Sequence, residues 1–192
     1  MVFISWYGGI KMNCWKSVHL EKEFGLSYLR GMSLIISLTA FIIFYLMLSI
    51  YHGSHHVEEA GIIIFLAVIS LLPILHVLMH VLPLILLKKP VKLALYKKNR
   101  KFPICTYYTR TYLTKKVSIL IALSPTFLIT LPSIITSFYF VDYYVYILAF
   151  VSLHLGMSFT DFIYIKQIAK APKKAIVEDG IGQFDVLLKE TK

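Results

Sequence analysis

Residues Gly61–Leu87 read GIIIFLAVISLLPILHVLMHVLPLILL, 27 positions with no Asp, Glu, Lys or Arg. About 20 apolar residues, rising 1.5 Å each as a helix, cross a hydrocarbon core of roughly 30 Å. The run is therefore a membrane span with length to spare, and Pro73 and Pro83 are its expected kink sites. Its second half carries two imidazoles, His76 and His80. Four residues apart, they share one helix face about one turn from each other. His-x-x-x-His on a helix lets two side chains grip one metal ion. In zinc peptidases the residue after the first His is a Glu that takes a proton from the attacking water. Here that position is Val77.

The remaining apolar runs follow the same logic. Residues 32–51, 117–140 and 143–165 complete a set of four predicted transmembrane helices, an all-α membrane domain over 31–165. Residues 1–30 are mixed in character, and His19, Glu21, Lys22 and Glu23 suit a short amphipathic helix at the membrane surface. A polar link holds His52, His55, His56, Glu58 and Glu59, and is expected to be solvated. Residues 88–116 form a basic loop, and 166–192 a small tail in which Ile181–Leu188 has the makings of one strand. The first twenty residues lack the apolar core of a cleaved signal peptide.

The net charge of +10 raises the question of nucleic acid. The positions of the charges answer it. Four Lys/Arg precede the first span, ten lie between Lys88 and Lys116, and six follow the fourth span. None lies in the links at 52–60 and 141–142. This is the positive-inside pattern of a four-span protein with both termini cytoplasmic, so the basic residues report topology and attraction to anionic lipid. Cys14 and Cys105 lie in basic non-membrane segments and are expected to be free thiols.

Ionisable groups inside a span are costly and face a bundle interior or a wet cavity. The spans contain four: His76, His80, His154 and Asp161. His154 and Asp161 are seven apart and share a helix face. The second and fourth spans run the same way through the membrane, and these residues lie at overlapping depths above the cytoplasmic end. Two imidazoles and one carboxylate can then surround one ion. The plain alternative is that each histidine is a hydrogen-bonded packing residue. For His154, packing or support of a ligand through a hydrogen bond is the expected role.

Three motifs resemble those of the zincin membrane peptidases, a bacterial family long catalogued only as a domain of unknown function. Its logic is similar to that of site-2 intramembrane metalloproteases. His76-Val-Leu-Met-His80 stands where the family shows His-Glu-x-x-His. Leu120-Ile-Ala-Leu-Ser-Pro125-Thr-Phe127 resembles its Ser/Ala-Pro-Phe stretch, and Gly156-Met-Ser-Phe-Thr-Asp161 its small-residue segment ending in Asp. Lys170-Ala-Pro-Lys173 and the acidic Glu178-Asp179 also fit, so the likeness covers roughly residues 15–190. The resemblance implies zinc as the metal, with His76, His80 and Asp161 as ligands. It also implies a transmembrane protein or peptide as partner, within the lipid bilayer. Because Val77 cannot accept a proton, the expected protein is a catalytically impaired relative, a pseudopeptidase that binds a metal or a membrane partner. Two other readings stay open. One is an active intramembrane protease with an unconventional base, for which Glu178 or Asp179 would have to fold back from the tail. The weaker one is a small transporter or structural membrane protein, since a single intramembrane carboxylate offers little to line a path.

Overall fold

The computed structural model describes residues 4–7, 10–53, 58, 61–96, 104–109, 111–180 and 183–189. The long helices α2 (Leu26–His52) and α3 (Gly61–Leu86) are each long and apolar enough to cross a membrane, as is the stretch Lys115–Tyr139. That stretch comprises α4 (Lys115–Pro125), a π turn (Thr126–Thr130) and α5 (Leu131–Tyr139). After a short 3₁₀ turn, α6 (Tyr144–Met157) and α7 (Phe159–Ala169) follow. Val141–Met157 and Phe159–Ala169 are bent by 40° and qualify as a fourth span if taken together.

The chain divides into two compact units. One comprises Ser27–Met79 and Ser124–Thr160. Its outward side chains are apolar and stand clear of the protein: Ile50, Ile63 and Tyr139 are 84%, 74% and 78% exposed. Apolar exposure sustained along whole helices is what a lipid environment tolerates and water does not. Close approach of α2 and α6 holds this unit together. Ser33 Oγ donates to the Gly156 carbonyl at 2.5 Å, and Ser37 Oγ to the Ser152 carbonyl at 2.8 Å. A Cβ on Gly156 would collide with Ser37 Oγ and the Ser33 carbonyl, so only glycine permits the contact. Nearer the other end of α2, Leu48 packs with Tyr144 and Leu148.

The second unit comprises Met1–Leu26, His80–Leu123 and Asp161–Lys192. Here the expectation of an all-α protein fails. Strands β1 (Ile4–Tyr7), β2 (Ile10–Val18), β5 (Leu113–Thr114), β6 (Ile176–Gly180) and β7 (Gln183–Lys189) form one antiparallel sheet in the order β1-β2-β7-β6-β5. β3 (Lys92–Tyr96) and β4 (Ile104–Tyr108) make a separate hairpin. The amphipathic surface helix expected within 1–30 shrinks to α1 (Leu20–Phe24), five residues long. The basic stretch 88–116 contributes β3, β4 and β5, and the tail holds two strands where one was expected.

The reason lies in long-range pairing. β2 turns Cys14, Lys16 and Val18 inward and Asn13, Trp15 and Ser17 outward. A lysine on the inner side and a tryptophan on the outer hide the period-2 alternation that marks a strand. Lys16 Nζ is accommodated by Gln167 Oε1 at 3.1 Å. The partner of β2 is β7, with Val18 opposite Phe184 and a bulge between Cys14 and Lys16. Val18, Ile168, Val177, Phe184 and Val186 form the core between this sheet and α7. Lys115 Nζ donates to the carbonyls of Ala169 and Ala171, closing the C-terminal end of α7.

Candidate metal centre

Two prolines, Pro83 in α3 and Pro125 at the end of α4, leave backbone carbonyls open to side chains. Pro83 has no N–H to give the carbonyl of Met79, four residues back, and Pro125 has none for that of Ile121. Each carbonyl is served from elsewhere: Ser124 Oγ donates to Met79 O and His80 Nδ1 to Ile121 O, both at 2.8 Å. A carbonyl oxygen only accepts, so His80 Nδ1 carries a proton and Nε2 is the nitrogen turned toward Asp161. That Nε2 lies 3.5 Å from Asp161 Oδ1. Asp161 sits in the first turn of α7, just past the break at Ser158, where the helix dipole favours an anion.

His76 is 8% exposed and His154 fully buried. His76 Nδ1 is 3.2 Å from His154 Nε2, and His154 Nδ1 is 2.9 Å from Thr130 Oγ1. His76 and His80 lie one turn apart on α3, and one ligand atom from each of His76, His80 and Asp161 falls within 4.8 Å of the other two.

Two nitrogens and one carboxylate oxygen suit zinc chemically. In a tetrahedral zinc site with bonds of about 2.1 Å, neighbouring ligand atoms are about 3.4 Å apart. The spacing of His80 Nε2 and Asp161 Oδ1 is already that of such an edge. With the imidazole neutral and the carboxylate ionised, both atoms would offer lone pairs to a cation. The widest spacing in the cluster exceeds the edge by roughly 1.4 Å, which side-chain torsions can absorb. Three protein ligands match the class of zinc site that keeps a position open for chemistry.

The structure thus brings together the three residues expected as ligands and sets His154 against one of them. Val77 is half-buried, and no acidic side chain stands at its position. His52 belongs to α2 and not to a solvated link. Its Nε2 is 3.1 Å from the Ser137 carbonyl, and its ring packs against Tyr144. His55, His56 and Glu59 lie outside the described residues.

Other neighbours of the cluster are harder to see in the sequence. The ring of Tyr107, from β4, lies 5.2 Å from that of His80. Burial pushes its hydroxyl well above the ordinary tyrosine range, and the charges of Asp179 and Asp161 add to this, so it stays protonated. Tyr164, one turn after Asp161 on α7, donates its hydroxyl to Asp179 Oδ1 at 2.7 Å. Burial raises the Asp179 carboxyl above the usual range, while the Tyr164 hydrogen bond and the charge of His80 pull it back. The i, i+3 spacing of Asp161 and Tyr164 is the only trace of this arrangement in the sequence. Tyr107 and Thr130 leave none.

A family model described as "Putative zincin peptidase" matches residues 69–176, more than half of the chain. No curated protein and no solved structure matches it.

Proposed function

The chain belongs to the putative zincin peptidase family, and from that premise we propose that it is a zinc-binding membrane protein whose hydrolytic power is weak and which acts chiefly by holding a membrane-embedded peptide or protein. The observation that carries this reading is the convergence of His76, His80 and Asp161 beside an aliphatic Val77. His76 Nε2, His80 Nε2 and a carboxylate oxygen of Asp161 would hold the ion. When bound, zinc polarises a carbonyl and makes water more acidic. Without a carboxylate at residue 77, the chain loses the proton transfer that general-base help supplies, worth about 10²–10⁴-fold.

Strand pairing supports four crossings. β5 and β6 pair directly, with Leu113 opposite Val177, so both strands lie on one side of the membrane. The chain between them must cross an even number of times. Lys115–Tyr139 accounts for one crossing, and the bent pair α6–α7 supplies the other. The N-terminal strands join the same sheet through β7. With the described basic residues of the sheet segments on that side, the positive-inside rule supports both termini being cytoplasmic in a bacterial cell membrane. The test of the metal reading is the zinc content of protein purified without added metal. About one zinc per chain is expected, and negligible zinc would overturn the reading.

One observation favours the unconventional-base reading. Asp179 comes from the tail strand β6, yet its carboxylate is held by Tyr164, three residues after Asp161 on α7. Oδ1 receives the Tyr164 hydroxyl, and Oδ2 is the oxygen to take a proton. As a water oxygen bonds to the scissile carbonyl carbon, its proton passes to Oδ2. The same proton then goes to the leaving amine nitrogen as the C–N bond breaks. A carboxyl raised above its ordinary range suits such a base near neutral pH. On this reading Asp179→Asn lowers cleavage of a transmembrane peptide in proteoliposomes by about 10²-fold or more, with zinc content unchanged. Equal cleavage by variant and parent rejects Asp179 as the base.

A further inference from the structure

A groove of about 510 Å³ separates the first two turns of α3 from α5 and α6. Phe65 and Val68 line it from α3, Phe140 from just past α5, and Tyr146 and Phe150 from α6. Gly61 lets the start of α3 come close to α6, since a Cβ there would lie 2.7 Å from the Tyr146 ring. Further along, the rings of Phe65 and Tyr146 are 5.5 Å apart. The lining is chiefly aliphatic and aromatic carbon. Thr136, one of its few polar members, already gives its hydroxyl to the Pro132 carbonyl at 2.8 Å.

The mouth of the groove is acidic. Glu58 N–H donates to the Asp142 carbonyl at 3.1 Å, and Gly61 N–H to that of Glu58 at 3.2 Å. Glu58 and Asp142 are both exposed. Asp142 stands between the lining residues Phe140 and Tyr143, and Glu58 stands three residues before Gly61. The links at 52–60 and 141–142 contain no Lys or Arg to offset these carboxylates.

Size and polarity decide what fits. Over the roughly 10 Å from Gly61 to Val68, the volume leaves a cross-section of about 50 Å², half that of a helix 10–12 Å wide. A helix, whether from a partner or from a second copy, is too wide to seat. An extended peptide would turn its backbone N–H and C=O groups against carbon, which is costly at membrane depth. A hydrocarbon chain is narrow and has no polar group to satisfy. The rim then selects the headgroup, because exposed carboxylates attract a cation and repel an anion. We propose that this groove holds an acyl chain of a phospholipid whose headgroup carries an ammonium, as in phosphatidylethanolamine, with the ammonium set against Glu58 and Asp142. Neither the groove nor its rim involves the proposed metal ligands.

The test uses the full chain in detergent, with phospholipids brominated on their acyl chains. Bromine quenches tryptophan on contact. Phe65→Trp puts the reporter on the groove wall. Ile63→Trp, at a position 74% exposed on the same helix, reports general contact with lipid. Quenching is taken relative to the parent, whose Trp6 and Trp15 lie in β1 and β2. Brominated phosphatidylethanolamine should quench Phe65→Trp saturably, while Ile63→Trp should follow the lipid fraction without saturating. Brominated phosphatidylglycerol, which has no ammonium, should bind roughly 3–10-fold more weakly, the worth of one or two exposed ion pairs. Joint Glu58→Gln and Asp142→Asn substitution should erase that preference and keep the quenching. Native mass spectrometry of the unsubstituted chain is the second readout, and phosphatidylethanolamine should be retained in preference to phosphatidylglycerol. Unsaturable quenching at both tryptophans, no retained lipid, equal binding of the two lipids, or a preference unchanged in the double variant overturns the proposal. So does a lipid-free dimer that Val68→Trp disperses, which would give the groove to a second copy.

Discussion

Val77→Glu is expected to raise cleavage of a transmembrane peptide by about 10²–10⁴-fold, the span that general-base help typically provides. Residue 77 follows a proposed ligand on the same helix, and the side chain there is half-buried. A carboxylate at this position would lie in a poorly hydrated setting that raises its proton affinity, as a base working near neutral pH requires. The substitution adds the one group that the family's His-Glu-x-x-His motif has and this chain lacks. Zinc per chain should stay as in the parent, because none of the three ligands is touched. Cleavage of peptide by proteoliposomes, with zinc measured on the same samples, is the deciding comparison. Failure to gain activity while zinc remains at one per chain would mean that something beyond the missing carboxylate limits hydrolysis. A parent already cleaving well, with little gain from glutamate, would move the weight to Asp179.

The second large effect is on metal affinity. His80→Ala should weaken zinc binding by about 10²–10⁴-fold. A structural zinc site is worth about 10–16 kcal/mol, so one ligand of three carries on the order of 3–5 kcal/mol. His80 also has its orientation fixed independently of His76, through the carbonyl that Pro125 cannot serve. Tyr107→Phe makes a close control, since it keeps the ring packed on His80 and removes only a hydroxyl. That variant should bind zinc like the parent. If His80→Ala also kept parental affinity, the cluster would be a packing arrangement and not a metal site.

The candidate metal centre was unevenly legible. His76 and His80 announced themselves because two imidazoles at helical spacing stand out in an otherwise apolar run. Asp161 stood out as the only carboxylate in a predicted span. The Ser124-Pro125 pair was visible as a motif, but its use was not. That Ile121 would accept from His80, and Met79 from Ser124, depends on which helix packs against which. Thr130 was silent for the same reason: a threonine in a membrane helix is unremarkable until its neighbour is known. Asp179 looked like part of a soluble tail, and only its bond to Tyr164 ties it to the residue one turn from Asp161.

By itself the chain's order of residues determined the apolar helices, the gathering of the basic residues outside the longest apolar runs, and the pair of imidazoles with a valine between them. These are local properties: a run of 27 uncharged positions or a spacing of four is complete within one segment. Tertiary structure alone decided that the N-terminus, the end of the basic stretch and the tail form one sheet. It alone decided which carbonyl and which ring hold each histidine. Both depend on hydrogen bonds between residues far apart in the chain, and such bonds leave no period or composition in either partner.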